Sequence, residues 1–186
     1  MSSELSNNPQ DRRQSIVTAA LSAFSRFGYR RAAMADIAAA AGVSRPLLYT
    51  VFPNKAAVFR ALAEALLADA VAGAEAAWPP GMALAQGLAA AILAKDLPIH
   101  QLFAASSHAD EILAEAETLA GDLHEAAATR FAALVAARFA AAGDQQAEAT
   151  ARLVIHAADG LKHAGLDEPT YVADVTRLAA LVAAGV

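Results

Sequence analysis

Apolar residues recur along almost the whole chain at spacings of three and four positions, which is the period of an amphipathic α-helix. The first stripe lies on a helix predicted to start near Asp11, and it consists of Ile16, Ala20, Phe24 and Phe27. Gly28 follows the stripe directly and predicts the end of this helix. The opening segment, MSSELSNNPQDRR, has no apolar run and is predicted to be a short disordered arm without a signal peptide.

Two short helices are predicted next, joined by a tight turn. The first covers residues 34–41 and ends at Gly42, which can adopt the positive φ that such a turn needs. Ser44 is a favourable N-cap for the second, over residues 45–51. Pro46 lies in its first turn, where a missing N–H costs nothing. This arrangement predicts a helix-turn-helix. The exposed face of its second helix would consist of Arg45, Pro46, Leu47, Tyr49 and Thr50.

The rest of the chain is also predicted to be helical. Pro53-Asn54 separates the third helix from the fourth, and Pro79-Pro80-Gly81 ends the fourth. On the same periodicity, further helices are predicted over residues 55–78, 82–95, 98–118, 121–142, 145–165 and 169–184, with breaks at Lys95 to Pro98, Gly121, Gly143-Asp144 and Gly165 to Pro169. No alternating pattern predicts a strand. The prediction is an all-α fold of about nine helices.

The charges of the chain are divided unevenly between its two parts. Residues 1–60 contain eight Lys or Arg and three acidic residues, a balance of +5, whereas residues 61–186 contain six basic and sixteen acidic residues, a balance of −10. Such asymmetry favours a basic N-terminal module for a polyanion, although uneven scatter of solvated charges would give the same counts.

Several classes of protein are excluded by what the sequence lacks. It contains no Cys, so disulfides and thiolate metal sites cannot form. It has no uncharged apolar run long enough for a membrane span, and we expect a cytoplasmic protein. Its five His show no helical metal-ligand spacing, and it has no nucleophile elbow, dinucleotide motif or phosphate loop. We therefore expect no metal, no cofactor and no enzymatic activity.

The stretch GYRRAAMADIAAAAGVSRPLLYTVFPNKAAVFRAL adds a specific resemblance. It resembles the DNA-binding domain of the TetR family of one-component transcriptional regulators, over about residues 10–62. The matching positions are Gly28, Ile37, Ala38, Ala41, Gly42, Val43, Ser44, Leu48, Tyr49, Phe52, Lys55 and Phe59. The resemblance implies a repressor that binds palindromic operator DNA as a homodimer and is released by a small-molecule effector. It also implies a DNA-binding domain at residues 10–56 and an effector-binding and dimerisation domain at residues 57–186.

The resemblance also implies which residues contact the operator. Arg45, Pro46 and Leu47 lie where the family's recognition helix meets base edges, so we expect Arg45 to bind guanine and Leu47 to contact a thymine methyl. We expect phosphate contacts from the side chains of Ser44, Tyr49, Thr50 and Lys55. Arg12 and Arg13, in the predicted arm, would reach the DNA backbone or the minor groove.

One departure from the family pattern supports a different function. The family commonly has Thr or Ser at the position of Ala33, where the hydroxyl caps the second helix and touches a phosphate, and Ala33 lacks it. The alternative hypothesis is therefore a helical small-molecule binding protein whose DNA binding is weak or lost.

The C-terminal part contains few large side chains among its many Ala residues. Those that would line an effector site are Trp78, Met82, His100, Phe103, His108, His124 and Phe131. Such a site would suit an apolar or aromatic effector. The apolar faces of segments 121–142 and 145–165 would form a four-helix interface with a second copy, unless they pack only within one subunit.

Overall fold

The computed structural model describes residues 8–104 and 106–186, and these residues form eight helices without a β-strand. The helices are α1 (Pro9–Arg31), α2 (Met34–Ala40), α3 (Arg45–Val51), α4 (Lys55–Ala77), α5 (Leu84–Ala104), α6 (Ala109–Ala141), α7 (Ala147–Lys162) and α8 (Glu168–Ala183). The predicted all-α class is confirmed. The difference of one helix from the predicted number arises in the middle of the chain.

The first helix starts earlier than predicted. Asn8 caps α1 by accepting a hydrogen bond from the Gln10 N–H at 3.0 Å, and the helix then includes Pro9 to Arg13, a stretch predicted as arm. Residues 1–7 lie outside the described residues. At the other end, Gly28 has φ 73°, so the helix bends where its end was predicted and adds one last turn to Arg31.

The predicted breaks in the middle of the chain were only partly right. α5 continues through Pro98, and the predicted break at Gly121 is a kink inside α6, where Ala120 has φ −140° and ψ 20°. The helix predicted over residues 98–118 is instead interrupted between α5 and α6. There Ser106 accepts a hydrogen bond from the His108 N–H at 3.2 Å, just before α6 begins.

Burial explains why Pro98 does not end α5. A proline inside a helix removes one backbone hydrogen bond and strains the preceding turn. Leu88, Ile92 and Asp96 precede Pro98 at intervals of four residues, and all three are buried. Packing of this face therefore outweighs the local preference for a break, as tertiary contacts often do.

The chain divides into two compact units. The first comprises residues up to Leu66 together with Leu102–His124. Its core is apolar and aromatic: the Phe24 and Phe59 rings lie 5.2 Å apart edge to face, and Tyr29 lies 5.0 Å from Phe59. Ile37 of α2 and Leu48 of α3 are fully buried, so the two short helices are held by one large side chain each.

The second unit comprises Leu67–Gln101 and Glu125–Val186. Trp78 is fully buried in its core and lies edge to face with Phe139 at 6.2 Å. A side chain at Gly87 would overlap the Trp78 ring, so the absence of a Cβ at that position makes room for the indole. Among the described residues, no helix combines the length and the apolar character needed to cross a membrane.

Candidate nucleic-acid interface

The turn between α2 and α3 is closed by backbone hydrogen bonds at Gly42. The Val43 N–H donates to the Ala38 carbonyl at 3.0 Å, and the Gly42 N–H donates to the Ala39 carbonyl at 3.2 Å. This pair is the Schellman motif, which needs a residue with positive φ, and Gly42 has φ 63°. Ser44 then starts α3 by accepting a hydrogen bond from the Leu47 N–H at 3.3 Å, which confirms it as the predicted N-cap.

The exposed face of α3 contains the predicted contact residues. Arg45, Pro46, Tyr49 and Thr50 are exposed, Leu47 is half-buried at the edge of this face, and Leu48 on the opposite side is fully buried. Because each residue advances an α-helix by about 100°, these exposed positions fall on one continuous arc. The fold therefore brings together the predicted base-reading and phosphate-binding side chains of α3.

The polar groups on this arc differ in their availability. Among the described residues, neither the Arg45 guanidinium nor the Tyr49 hydroxyl has a hydrogen-bond or ionic partner, and the Tyr49 side chain keeps 53% of its surface exposed. The Thr50 hydroxyl, by contrast, donates to the Leu47 carbonyl at 2.7 Å. Arg45 and Tyr49 are thus free to bind an external partner, whereas the Thr50 proton is used inside the helix.

Lys55 has partners that the sequence did not predict. Its ammonium donates to the carbonyls of Tyr29 at 2.6 Å and Arg30 at 3.1 Å, and it lies 4.5 Å from the centre of the Tyr29 ring. The last carbonyls of a helix carry partial negative charge, so a cation there is stabilising. Lys55 therefore joins the start of α4 to the end of α1 in this structure, and its contact with phosphate stays a prediction.

The start of α2 is capped without the family's hydroxyl. Ala33 is the N-cap and offers no side-chain oxygen, but the Asp36 carboxylate accepts a hydrogen bond from the Ala33 N–H at 2.8 Å. Asp36 thus supplies the backward half of a capping box and places a negative charge in the first turn of α2. The other half of the box, a side-chain acceptor at position 33 for the Asp36 N–H, is missing.

Glu111 of α6 closes the bend at the end of α1. Its carboxylate accepts a hydrogen bond from the Arg30 N–H at 2.6 Å and lies over Gly28, where a Cβ would come within 2.8 Å of Oε2. One turn later, Glu115 lies 3.7 Å from the Arg30 guanidinium. The pKa of the Tyr29 hydroxyl is raised, first by burial and then by the charge of Glu115. Contacts of Lys55 in α4 and of Glu111 and Glu115 in α6 thus stabilise the bend that precedes α2.

Two further arginines near the start of α1 were predicted to lie in an arm, and both are instead helical. Arg13 lies over the Phe52 ring, 5.1 Å from its centre. Arg12 is half-buried, and its Nε is buried without a hydrogen-bond partner among the described residues. Neither extends from the domain on a flexible segment in this structure. Their contact with the DNA backbone or the minor groove stays a prediction.

The predicted effector-site residues fall into three groups. Trp78, Met82 and Phe131 belong to the apolar core of the second unit, with Met82 only partly buried. His108 and His124 belong to the first unit; His124 Nδ1 lies 3.0 Å from the carbonyl of Ala120 at the kink of α6. The side chains of His100 and Phe103 lie outside the described part of the structure.

A buried polar cluster in the second unit was not predicted. Asp96 is 4% exposed and accepts hydrogen bonds from Lys95 at 2.5 Å and from the Tyr171 hydroxyl at 2.9 Å, with Lys162 at 3.7 Å. Burial and the charge of Asp96 raise the pKa of that hydroxyl. The sequence signal was available, because Asp96 continues the buried series of Leu88 and Ile92 at four-residue spacing.

Comparison with known proteins agrees with this geometry. The model of the family "Bacterial regulatory proteins, tetR family" matches residues 16–62, which contain most of α1, all of α2 and α3, and the start of α4. A search of curated proteins by sequence finds no match.

Solved structures resemble the chain over nearly its full length. A TetR-like transcriptional regulator from Rhodococcus sp. RHA1 has a TM-score of 0.64 at 22% identity, covering 94% of this chain and 97% of that one. The fatty acid degradation regulator FadR from Bacillus halodurans has a TM-score of 0.67 at 19% identity, covering 94% and 96%. SmeT, the repressor of the Stenotrophomonas maltophilia multidrug efflux pump SmeDEF, has a TM-score of 0.63 at 19% identity, covering 92% and 86%.

At these identities the likeness to solved structures shows the shared fold, and the family model identifies the N-terminal segment. The chain therefore carries the helix-turn-helix domain of the tetR family over residues 16–62, within a fold that it shares with solved transcriptional regulators, and the family resemblance predicted from its sequence is confirmed.

Proposed function

We propose that this protein is a transcriptional repressor that binds palindromic operator DNA as a homodimer and releases it when a small-molecule effector binds. The observation that carries the proposal is the exposed face of α3, where Arg45 and Tyr49 have no polar partner among the described residues. The balance of +5 over residues 1–60 favours contact of this part with a polyanion, and the −10 over the rest opposes it. Such a function places the protein in the cytoplasm, where the operator is.

Each contact residue has a role that fits its chemistry. Arg45 binds guanine in the major groove through two parallel hydrogen bonds. The hydroxyls of Tyr49 and Ser44 donate to phosphates, since the Ser44 oxygen that caps α3 still carries its own proton. Lys55 contributes through the start of α4, which its ammonium fastens to the end of α1. Pro46, Leu47 and Thr50 complete the face that meets the bases.

A second copy of the chain is the proposed partner of α7 and α8. These neighbouring helices expose Leu153 and Leu181, which keep 70% and 62% of their surface accessible. Burying both against their equivalents would form a four-helix, two-fold interface. The sequence pointed to segments 121–142 and 145–165; the exposed leucines lead us to assign the interface to α7 with α8. A two-fold dimer matches an operator made of two inverted half-sites.

The proposed effector is an apolar or aromatic molecule bound by the C-terminal part of the chain. The candidate side chains that the structure describes in the second unit, Trp78, Met82 and Phe131, are apolar, and the proposal rests on these three. The predicted contact set also contained His100 and Phe103, together with His108 and His124, which belong to the first unit. Among the proteins of similar fold, one regulates fatty acid degradation and another represses an efflux pump. Release of the operator requires a coupling of only about 1–3 kcal/mol between the two sites. The proposal assigns no catalytic step to any residue.

The experiment is a selection of the full-length protein against random duplex DNA, followed by titration of the selected duplex at several salt concentrations. We expect a palindrome, and a log–log salt slope of about −0.9 for each phosphate contact neutralised. A slope near zero, or no preferred sequence, would reject the proposal.

The alternative, a small-molecule binding protein that no longer binds DNA, is favoured by the missing hydroxyl at Ala33. Replacing both Arg45 and Tyr49 with Ala distinguishes the two functions. A repressor loses its operator and keeps its effector affinity, whereas the alternative protein shows no operator binding with or without the changes.

A further inference from the structure

The middle of the exposed arc of α3 is apolar. At about 100° per residue, the arc runs in the order Arg45, Tyr49, Pro46, Thr50 and Leu47. Pro46 is exposed and has no polar group to offer, and Leu47 is half-buried at the far edge. Arg45 and Tyr49, the two side chains with free polar groups, both lie on one side of this arc.

Thr50 belongs to the apolar part of the arc despite its hydroxyl. That hydroxyl donates its proton to the Leu47 carbonyl at 2.7 Å, and Thr50 is exposed on the same side as Pro46. What Thr50 presents outward without breaking this bond is its γ-methyl group and an oxygen that can only accept. Pro46, Thr50 and Leu47 thus offer a base edge no hydrogen-bond donor.

In the major groove, the apolar groups of this surface match the C5-methyl of thymine. The Thr50 oxygen could in addition accept only from an amino group of adenine or cytosine, and the surface has nothing to offer the acceptors of a base edge. Resting on the proposed function, we infer that α3 reads its half-site chiefly through thymine methyl groups against Pro46, Thr50 and Leu47, with Arg45 as its one hydrogen-bonding reader, of a single guanine. Tyr49 and Ser44 hold the phosphates and do not discriminate between sequences.

Deoxyuridine gives a direct test, because it differs from thymidine only in lacking the C5-methyl and keeps every hydrogen-bonding group. The full-length protein is titrated with the selected operator and with the same duplex carrying deoxyuridine in its half-sites. We expect affinity to fall about threefold to fourfold for each methyl contact removed. Replacing thymidines outside the half-sites should leave affinity unchanged.

Two matched variants assign the methyl contact to Thr50. Thr50→Ser keeps the hydroxyl and removes the methyl, so it should bind the thymidine operator more weakly and discriminate less between the two duplexes. Thr50→Val keeps the methyl and removes the hydroxyl, so it should discriminate as the wild type does. Pro46→Ala should lose part of the discrimination as well. Circular dichroism melting of each variant shows that the helices are intact.

The outcomes separate this inference from the proposed function. A selected palindrome that binds equally well with deoxyuridine, or that contains no thymine opposite α3, overturns the inference and leaves the repressor intact. Loss of binding in Thr50→Val with retention in Thr50→Ser also overturns it, because the hydroxyl would then be the reader. Failure to select any sequence rejects the proposed function and this inference together.

Discussion

Two cations of the helix-turn-helix, Arg45 and Lys55, have opposite surroundings although both match the family pattern. Arg45 is exposed and has no partner among the described residues, whereas the Lys55 ammonium is held by two carbonyls at the end of α1. A residue's charge thus does not by itself tell whether it faces DNA or fixes the domain. Single residues also set the stability of the N-terminus of α2, where Ala33 is the N-cap. At another point, Arg60 of α4 makes the contact with α6.

Ala33→Ser should stabilise the protein. A serine hydroxyl would accept a hydrogen bond at the start of α2 and complete the capping box that Asp36 already half supplies. We expect a gain of about 1 kcal/mol, and a rise in melting temperature of about 2–4 °C for a chain of this length. Calorimetry measures it, with Ala33→Val as the control that adds bulk without an acceptor. An equal effect of both variants would mean that the cap is not formed.

Asp122→Asn should lower stability at neutral pH and have no effect in acid. Arg60 donates two hydrogen bonds to Asp122, and these hold its pKa at about 2 instead of the ordinary 3.8. The lowered pKa means that the carboxylate favours the folded state above about pH 4, and that this contribution is lost as pH falls through about 2. Urea unfolding of wild type and variant across this range should show curves that converge in acid. Glu117→Gln, at an exposed position, should show no such convergence.

Most of the candidate interface was predictable at this scale because its residues are close in sequence. Ser44, Arg45 and Tyr49 are set by one helix and its cap, and the structure places Arg45 and Tyr49 on the predicted face and Ser44 at the predicted N-cap. The contacts of Lys55 with Tyr29 and of Glu111 with Arg30 join residues 26 and 81 positions apart, and no local pattern encodes them. The hydrogen bond from the Ala33 N–H to the Asp36 carboxylate joins residues only three positions apart, so it could have been predicted from the sequence.

At the scale of elements, the bend at Gly28 sets the direction in which the chain leaves α1 and enters the helix-turn-helix. Gly28 bends the chain, and Glu111 of α6 fills the space that a side chain at Gly28 would take. The first unit therefore includes the start of α6 as a structural part of the domain, since residues 102–124 belong to it. A substitution at this bend should lower the free energy of unfolding more than a substitution at the turn before α3.

Gly28→Ala should destabilise the protein more than Gly42→Ala. Both glycines have positive φ, 73° and 63°, so both variants suffer a backbone strain of about 1–2 kcal/mol. Only at Gly28 does the new Cβ also displace the Glu111 carboxylate from the Arg30 N–H, which adds about 1–3 kcal/mol; at Gly42 the space is open. Chemical denaturation measures both, and adding Glu111→Ala to each should bring the two values together. Equal losses in the single variants would show that Glu111 does not fill this space.

The elements themselves were predicted wherever glycine, proline and capping residues agree with the apolar period. The boundaries of α2, α3 and α4 follow from Gly42, Ser44 and Pro53-Asn54. The larger errors lie in α5 and α6. Pro98 is a strong local breaker, but the face of α5 that precedes it is buried, and at Gly121 the predicted break is only a kink next to the buried Ala120. Burial of that kind depends on the rest of the fold, and so a local reading placed breaks where the helices continue.

At the scale of the whole molecule, charge and symmetry bear on the same function. The basic residues concentrate in the part that carries α3, and the acidic residues cover the part that carries α7 and α8. Two copies joined through the acidic part would present two recognition helices, each within a basic part of its chain, to one duplex. Because both helices belong to one dimer, the affinities of the two half-site contacts would then add. Dimerisation and operator affinity should therefore be lost together.

Leu153→Asp and Leu181→Asp should each convert the proposed dimer to a monomer. A carboxylate at a position that becomes buried between two copies meets its like-charged equivalent in an apolar interface, which is strongly unfavourable. Sedimentation at micromolar concentration should show the monomer mass, with an unchanged far-ultraviolet spectrum, and operator affinity should fall at least tenfold. Leu113→Asp is the matched control, since Leu113 is 50% exposed but lies on α6 in the first unit, and it should remain dimeric. If both test variants stay dimeric while the control dissociates, the interface lies on the first unit, which contains Leu113. Contacts of that unit would then set the distance between the two α3 helices.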